Sequence, residues 1–253
     1  MLNSSARTIE FYNFSDDLDQ VILMVQAVGQ AGLAQLREVE IQTSGLLQKV
    51  AGIDAKAFAK LSAAERVQAS NAASPHDAAA MTRLAEKTEG YLHLGTKTAP
   101  SVVLVYLVAR FESYLSGIAL SVCLSRPHLL GPITSATEEE LYRRVSAALD
   151  TKTMDEVSVF FQDKLGIPFP RICTQAKTTI RELDKAKGLR NIHLHNRGYL
   201  NARNKKRVDL NLPLNTYCPI SVGYLNQVKD QMYNVVLQLD KEMLRRYPDM
   251  LTR

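Results

Sequence analysis

The chain has 253 residues, 46% hydrophobic and 23% charged, which suits a soluble globular protein able to bury a core, as one large domain or as a small one beside a larger one. Its formal net charge of +5 excludes a polyanionic chain and makes the location of the positive excess the informative quantity. The three cysteines, Cys123, Cys173 and Cys218, are odd in number, far apart and without a C-x-x-C pair, which argues against a disulfide framework or structural zinc and for a reducing compartment.

The polar stretch from Met1 to Glu10 has no signal-peptide core. Ser15 as N-cap, followed by Asp16, Asp17 and Asp19, predicts a helix over residues 15–28. Gly29 and Gly32 weaken that helix, and a second helical pattern runs through Leu33, Leu36, Val39, Leu46, Leu47 and Val50. Residues 51–75 are alanine-rich and end in Asn71-Ala72-Ala73-Ser74-Pro75, which predicts a marginal helix and then a linker. His76 and His93 stand alone and read as surface or packed histidines.

Thr98 and Pro100 predict the start of a helix whose apolar positions are Val103, Leu107, Phe111, Tyr114, Leu115, Ile118 and Val122, the expected central buried element. Its longest apolar run, Val102 to Ala109, is interrupted by Arg110 and Glu112, so no membrane span and a cytoplasmic protein are expected. Charges on such a helix need partners. Glu112 either pairs with Arg190, points to solvent or pairs within its own helix. Ser125-Arg126-Pro127 to Pro132 breaks the chain. Thr137 with Glu140, and Thr153 with Glu156, are capping-box patterns for helices ending near Leu149 and Gly166.

Ile167-Pro168-Phe169-Pro170 predicts a turn into one long helix from about Arg171 to Asn196, with Ile172, Ile180, Leu183 and Leu194 on its core side and a kink at Lys187-Gly188. Residues 199–219 predict a loop with a short strand over 208–212, and Ser221 caps a final helix with apolar positions Val222, Leu225, Val228, Met232, Val235, Val236, Leu239, Met243 and Leu244. That helix supplies core or a dimer interface.

The long helix carries the chemistry. Asn191 and His195 are i,i+4 neighbours, and the long side chain of Arg190 reaches toward the same rim. Histidine titrates near neutral pH and takes a proton from a hydroxyl, while arginine holds phosphate oxygens with its fork of donors. His193 points about 200° from His195 on a regular helix, so the two cannot share a metal ion, and a structural or supporting role is expected for His193. From Arg181 to Arg207 nine basic residues face two acidic ones, a net +7 in 27 residues, so the rest of the chain carries no positive excess. Lys187, Arg197, Arg203, Lys205, Lys206 and Arg207 are the candidate RNA-binding residues of this stretch. Either they attract a polyanion, or they form a solvated basic face beside a helix C-terminus. Lys205-Lys206-Arg207 likewise reads as a phosphate-gripping arm or as a solvated charge run.

Arg190-Asn191, then His195-Asn196 and Gly198, resembles the RN-x3-HN-x-G signature of the HEPN (higher eukaryotes and prokaryotes nucleotide-binding) superfamily. Ala109-Arg110-Phe111-Glu112-Ser113-Tyr114-Leu115 and the final helix after Ser221 are similar to the family's flanks, so the resemblance covers about residues 98–250. It implies a HEPN-like helical bundle over residues 96–253; residues 1–95 match no family and read from their own pattern as an additional N-terminal helical region, so the expected fold class is all-α. It also implies a homodimer through the C-terminal domain that brings two motifs to one cleft, and a metal-independent endoribonuclease without cofactor, of the kind found in toxin–antitoxin and phage-defence systems. By that resemblance His195 activates the ribose 2′-hydroxyl and Arg190 stabilises the phosphate charge, giving a 2′,3′-cyclic phosphate; Asn191 orients either the imidazole or the phosphate, and Glu112, His193 and Asn196 are the candidate supporting residues. Some toxin members carry a tyrosine two residues after the motif histidine, where a partner modifies it; here that position is Arg197. A catalytically silent RNA- or nucleotide-binding or scaffold module is the alternative, and an antitoxin or defence-complex partner at the N-terminal region is a further expectation.

Overall fold

The computed structural model describes residues 7–51, 60, 62, 65, 75–131, 137–150 and 152–249. Of these, 82% are helical and none lies in a strand, so the fold class is all-α. The helices are α1 (Ile9–Ala51), α2 (Pro75–His93), α3 (Ala99–Ser125), α4 (Glu138–Leu149), α5 (Met154–Leu165), α6 (Phe169–Gln175), α7 (Ile180–Asn196), α8 (Ala202–Val208) and α9 (Val222–Arg246). The chain divides into two compact units, Met1–Ile22 with Pro100–Arg253, and Leu23–Ala99. Of the described residues, 7–22 thus group with the stretch from Pro100 onward.

The start of α1 explains that assignment. Its cap is Thr8 rather than Ser15: the Thr8 hydroxyl accepts from the Phe11 amide at 3.2 Å and donates to the buried carboxylate of Asp240 on α9, which also takes the Thr8 amide at 3.3 Å. Phe11, Phe14, Leu18 and Val21 recur at helical spacing and are buried, Phe14 lying 5.8 Å from the Tyr114 ring. Asp17 accepts from Arg110, and Glu10 from Ser121, so polar contacts flank the apolar stripe.

In the other unit, α1 runs through Gly29 and Gly32 as one helix to Ala51. Tyr91 of α2 donates to Gln35 of α1 at 3.0 Å, and Val39 and Leu84 are buried. Most of the expected marginal helix and linker at 51–75 lies outside the described residues, as does the side chain of His76. His93 is exposed.

No new helix starts at Pro100. α2 continues into α3 through a π-helical turn, Leu94–Thr98, whose wider i→i+5 pattern accommodates a proline that has no amide to donate. Thr98 lies with its hydroxyl 3.4 Å from His93 Nδ1 instead of capping. The continuous stretch Thr82–Ser125 is, among the described residues, the helix long and apolar enough to cross a membrane, and 50% of its most apolar window is buried inside the protein.

α3 is the central element of its unit. Leu104, Ile118, Ala119, Val122 and Cys123 are fully buried, and every apolar position expected there, from Val103 to Val122, is in the core. Burial of each such side chain contributes about 1.5–3 kcal/mol. α5 begins in a full capping box at Thr153 and Glu156 and stops at Gly166 in the left-handed conformation. At α4 only half the box forms: Thr137 caps the Glu140 amide, while the Glu140 carboxylate turns to Arg143 and Arg144.

The expected long motif helix is two helices. α6 ends at Gln175, Lys177 takes a positive φ of 56°, and a second capping box, Thr179 with Glu182, starts α7. α7 runs through Lys187-Gly188 as one helix, and the missing side chain of Gly188 lets α8 approach, since a Cβ there would stand 2.8 Å from Val208 Cγ1. No strand forms over 208–212: α8, capped by Asn201, whose Oδ1 accepts from the Asn204 amide at 2.9 Å, ends at Val208, and residues 209–212 are turn and irregular. Leu194, expected in the core, is 51% exposed, and Ile192 takes its place; Val222 is likewise 60% exposed, whereas the remaining apolar positions of α9 are buried.

Candidate functional site

A cleft of about 550 Å³ lies at the end of α7. Arg190, Asn191, His195 and Asn196 line it from α7, with Lys187 one turn earlier; Arg203 and Arg207 line it from α8, and Glu112 from α3. Asn201 and Asn204, Leu115 and Ser116, Leu149 and Asp150, and Met154 and Val157 complete it. The three residues to which the sequence assigned chemistry thus share one concave surface with three of the six candidate phosphate contacts. Arg197, Lys205 and Lys206 lie outside it and are exposed.

Charge within the cleft is partly neutralised from below. Glu112 Oε1 accepts from Lys187 Nζ at 2.5 Å and Oε2 from Arg190 Nη2 at 2.5 Å, with side-chain exposures of 27%, 5% and 16% respectively. Lys187 is therefore a buried member of an ion triad at the cleft. Arg190 Nε is buried without a hydrogen-bond partner. A guanidinium has five donors, so pairing one nitrogen with Glu112 leaves others for an anion.

Arg207 is held too. Asp184 takes its Nε at 2.8 Å and its Nη2 at 2.6 Å, and the same carboxylate accepts from the Met154 amide at 2.9 Å. One acid thus ties α7, α8 and the start of α5 together, a fork-on-carboxylate geometry with strong orientation. Arg181 pairs with Asp209 at 2.5 Å. The basic stretch is hence far from uniformly free: Lys185, Arg197, Arg203, Lys205 and Lys206 are its members with no ion pair among the described residues.

His195 and His193 have opposite environments, as two-residue spacing on a helix requires. His195 is exposed on the cleft, and its ring makes no hydrogen bond among the described residues. Asn191 and Asn196 also line the cleft and are half-buried, with no side-chain hydrogen bond among the described residues. His193 is held at both nitrogens. Nε2 meets the Cys218 carbonyl at 2.9 Å, so it carries the proton, and Nδ1 meets the Ser101 hydroxyl at 2.8 Å as acceptor. Burial pushes its pKa below the ordinary 6.5, against the opposing pull of the Cys218 carbonyl. His193 is structural, supporting the turn beside the cleft.

That turn is built on Gly198. After Arg197 in the left-handed conformation, Gly198 takes φ +85°, and a Cβ there would stand 2.4 Å from the Tyr217 ring. The Cys218 amide donates to the Gly198 carbonyl at 2.8 Å, and the Leu200 amide to Thr216 at 2.9 Å. The glycine of the signature thus serves close backbone approach, and residues 215–218 clip the end of α7 in place.

Sequence reasoning missed Asp184, Ser101, Asp150, Ser116, Asn201 and Asn204. Asn201 had a local signal, an Asn-x-x-Asn cap ahead of the basic run; the others come from contacts between distant segments. Among the described residues no group of three or more His, Cys, Asp or Glu is placed to hold a metal ion. In comparisons with family models, with curated proteins and with solved structures, the chain found no match.

Proposed function

We propose that this cleft cleaves RNA in the manner of the HEPN nucleases that its signature resembles. His195 takes the proton of a ribose 2′-hydroxyl, the oxygen attacks the adjacent phosphorus, the bond to the 5′-oxygen breaks, and the proton passes to that leaving oxygen. The products are a 2′,3′-cyclic phosphate and a 5′-hydroxyl. Arg190 stabilises the charge that develops on the phosphate oxygens, and Asn191 orients the phosphate. General-base catalysis and an electrostatic donor each supply roughly 10²–10⁴-fold in rate.

The observation that carries this reading is the meeting of Arg190, Asn191 and His195 on one cleft whose further cations are Lys187, Arg203 and Arg207. Exposure of His195 suits a base that must reach a substrate hydroxyl. The setting proposed is toxin or antiviral-defence RNA cutting by a homodimer, with an inhibitory partner at the N-terminal region. A silent RNA-binding module is the second reading, favoured by the engagement of Arg190 with Glu112.

The test is incubation of total RNA with the protein in EDTA, beside His195→Ala and Arg190→Ala. Cutting by the parent chain alone, leaving cyclic phosphate ends, supports the nuclease. Cutting that needs added magnesium, or that survives both substitutions, overturns it; RNA that is bound yet left whole leaves the binding module.

A further inference from the structure

Two chemistries line the cleft, and they come from different elements. α7 and α8 bring the cations, whereas Leu115 of α3, Leu149 of α4, and Met154 and Val157 of α5 bring carbon. A phosphodiester alone has no use for the second kind of lining. A nucleotide does, since its base has apolar faces and a polar edge, and a cleft of about 550 Å³ is of the size that holds a small organic ligand.

Asp150 adds the distinguishing feature. It follows the last residue of α4, its amide is fixed to the Ser146 carbonyl at 2.7 Å, and its side chain is exposed. Two carboxylates line the cleft, and they are not equivalent. Glu112 is occupied by Lys187 and Arg190, while the Asp150 carboxylate has no hydrogen bond or ion pair among the described residues. An open anion in a phosphate-binding cleft repels the phosphodiester unless it meets donors elsewhere on the same ligand.

Among the four bases, guanine is the one with two adjacent donors, N1–H and the N2 amino group, on its Watson–Crick edge. A carboxylate accepts both at once. Uracil offers one donor between two carbonyls, and adenine and cytosine place a ring acceptor beside their amino group, so each sets a lone pair against the acid. Single-stranded RNA presents these edges unpaired.

We infer that the cleft selects a guanine nucleotide, the base lying on the Leu149, Met154 and Val157 lining with its N1 and N2 donors on the Asp150 carboxylate and its phosphate on the α7 and α8 cations. This rests on the cleft being the RNA site proposed above, and it makes Asp150 a specificity residue outside the reacting atoms.

The experiment is calorimetric binding of 3′-GMP, 3′-AMP, 3′-CMP and 3′-UMP to the full chain and to Asp150→Asn, run beside the RNA cleavage assay. The expected result is 3′-GMP bound about tenfold more tightly than 3′-AMP, the worth of one bidentate pair. Asp150→Asn brings the two within about twofold without weakening 3′-AMP, because the substitution removes a repulsive charge and leaves the phosphate contacts. Equal binding of all four nucleotides, binding of none, or a guanine preference that persists in Asp150→Asn overturns the inference. The cleavage assay separates the two readings: a guanine preference in a protein that never cuts RNA sinks the nuclease and keeps the subsite, whereas cutting without base preference does the reverse.

Discussion

Arg190 Nη2 donates to Glu112 Oε2 at 2.5 Å, joining residues 78 positions apart, and Lys187 Nζ occupies the other oxygen of the same carboxylate. Removing one member of a buried ion group strands the others. Glu112→Gln leaves the nearly inaccessible Lys187 ammonium without its counter-charge, and is expected to lower stability by about 1–3 kcal/mol in urea unfolding, with recovery in the double variant Glu112→Gln, Lys187→Met. Under the proposed function the same single substitution raises affinity for RNA, since Arg190 then has no internal competitor. Unchanged stability would mean that the triad contributes nothing to the fold.

His193 predicts a pH dependence of known sign. Its pKa in the folded protein lies below the ordinary 6.5, mainly through burial, so between the two values the unfolded chain binds more protons than the folded one. Stability from this group is complete above pH 6.5 and falls as the pH drops below it. Comparing unfolding free energies between pH 5 and 8, His193→Gln is expected to show a shallower slope on the acid side than the parent chain, because the residue that must stay neutral between Ser101 and Cys218 is gone.

Gly188 predicts a packing effect. Gly188→Ala drives a methyl against Val208 Cγ1 and Arg207, so a loss of about 1–3 kcal/mol is expected despite alanine's better helix propensity. Val208→Ala in the same chain relieves the clash and should recover part of that loss, a coupling that a double-mutant cycle measures directly.

Lys205 and Lys206 test the exterior of the basic stretch. Both are exposed and lie outside the cleft. The expected outcome of replacing both with alanine is weaker single-stranded RNA binding whose salt slope is shallower by about 1.4, some 0.7 for each lost phosphate contact, with no change in which bonds are cut. A slope that does not move assigns these lysines to solvent.

Much of this molecule was legible wherever a signal is local. The capping residues Thr153 and Ser221, the stop at Gly166 and the apolar period of α3 are satisfied within one turn of helix, and the structure has them where the sequence places them. Asn191 and His195 fall on one rim for the same reason, helix geometry at i,i+4. What went unread depends on partners far along the chain. Thr8 outranks Ser15 as a cap because Asp240 waits for it 232 residues later, and Pro100 sits inside a helix because a π turn precedes it. The break before Thr179 hid inside a stretch that reads as continuously helical. Pairing of Glu112 with Arg190 was one of several arrangements compatible with the sequence, and only packing of α3 beside α7 selects it.

The three thiols carry a consequence for handling the protein. Cys123, Cys173 and Cys218 are each at most 2% exposed, and desolvation lifts the first two to about 11 and about 12, so almost none of their thiolate forms exist at neutral pH. An alkylating reagent therefore finds nothing to attack in the native chain and becomes a clock for its opening. Cys218, seated in the clip rather than in a helix, would be the first to register that the wall around His193 has swung away, before the interior that shelters Cys123 has melted.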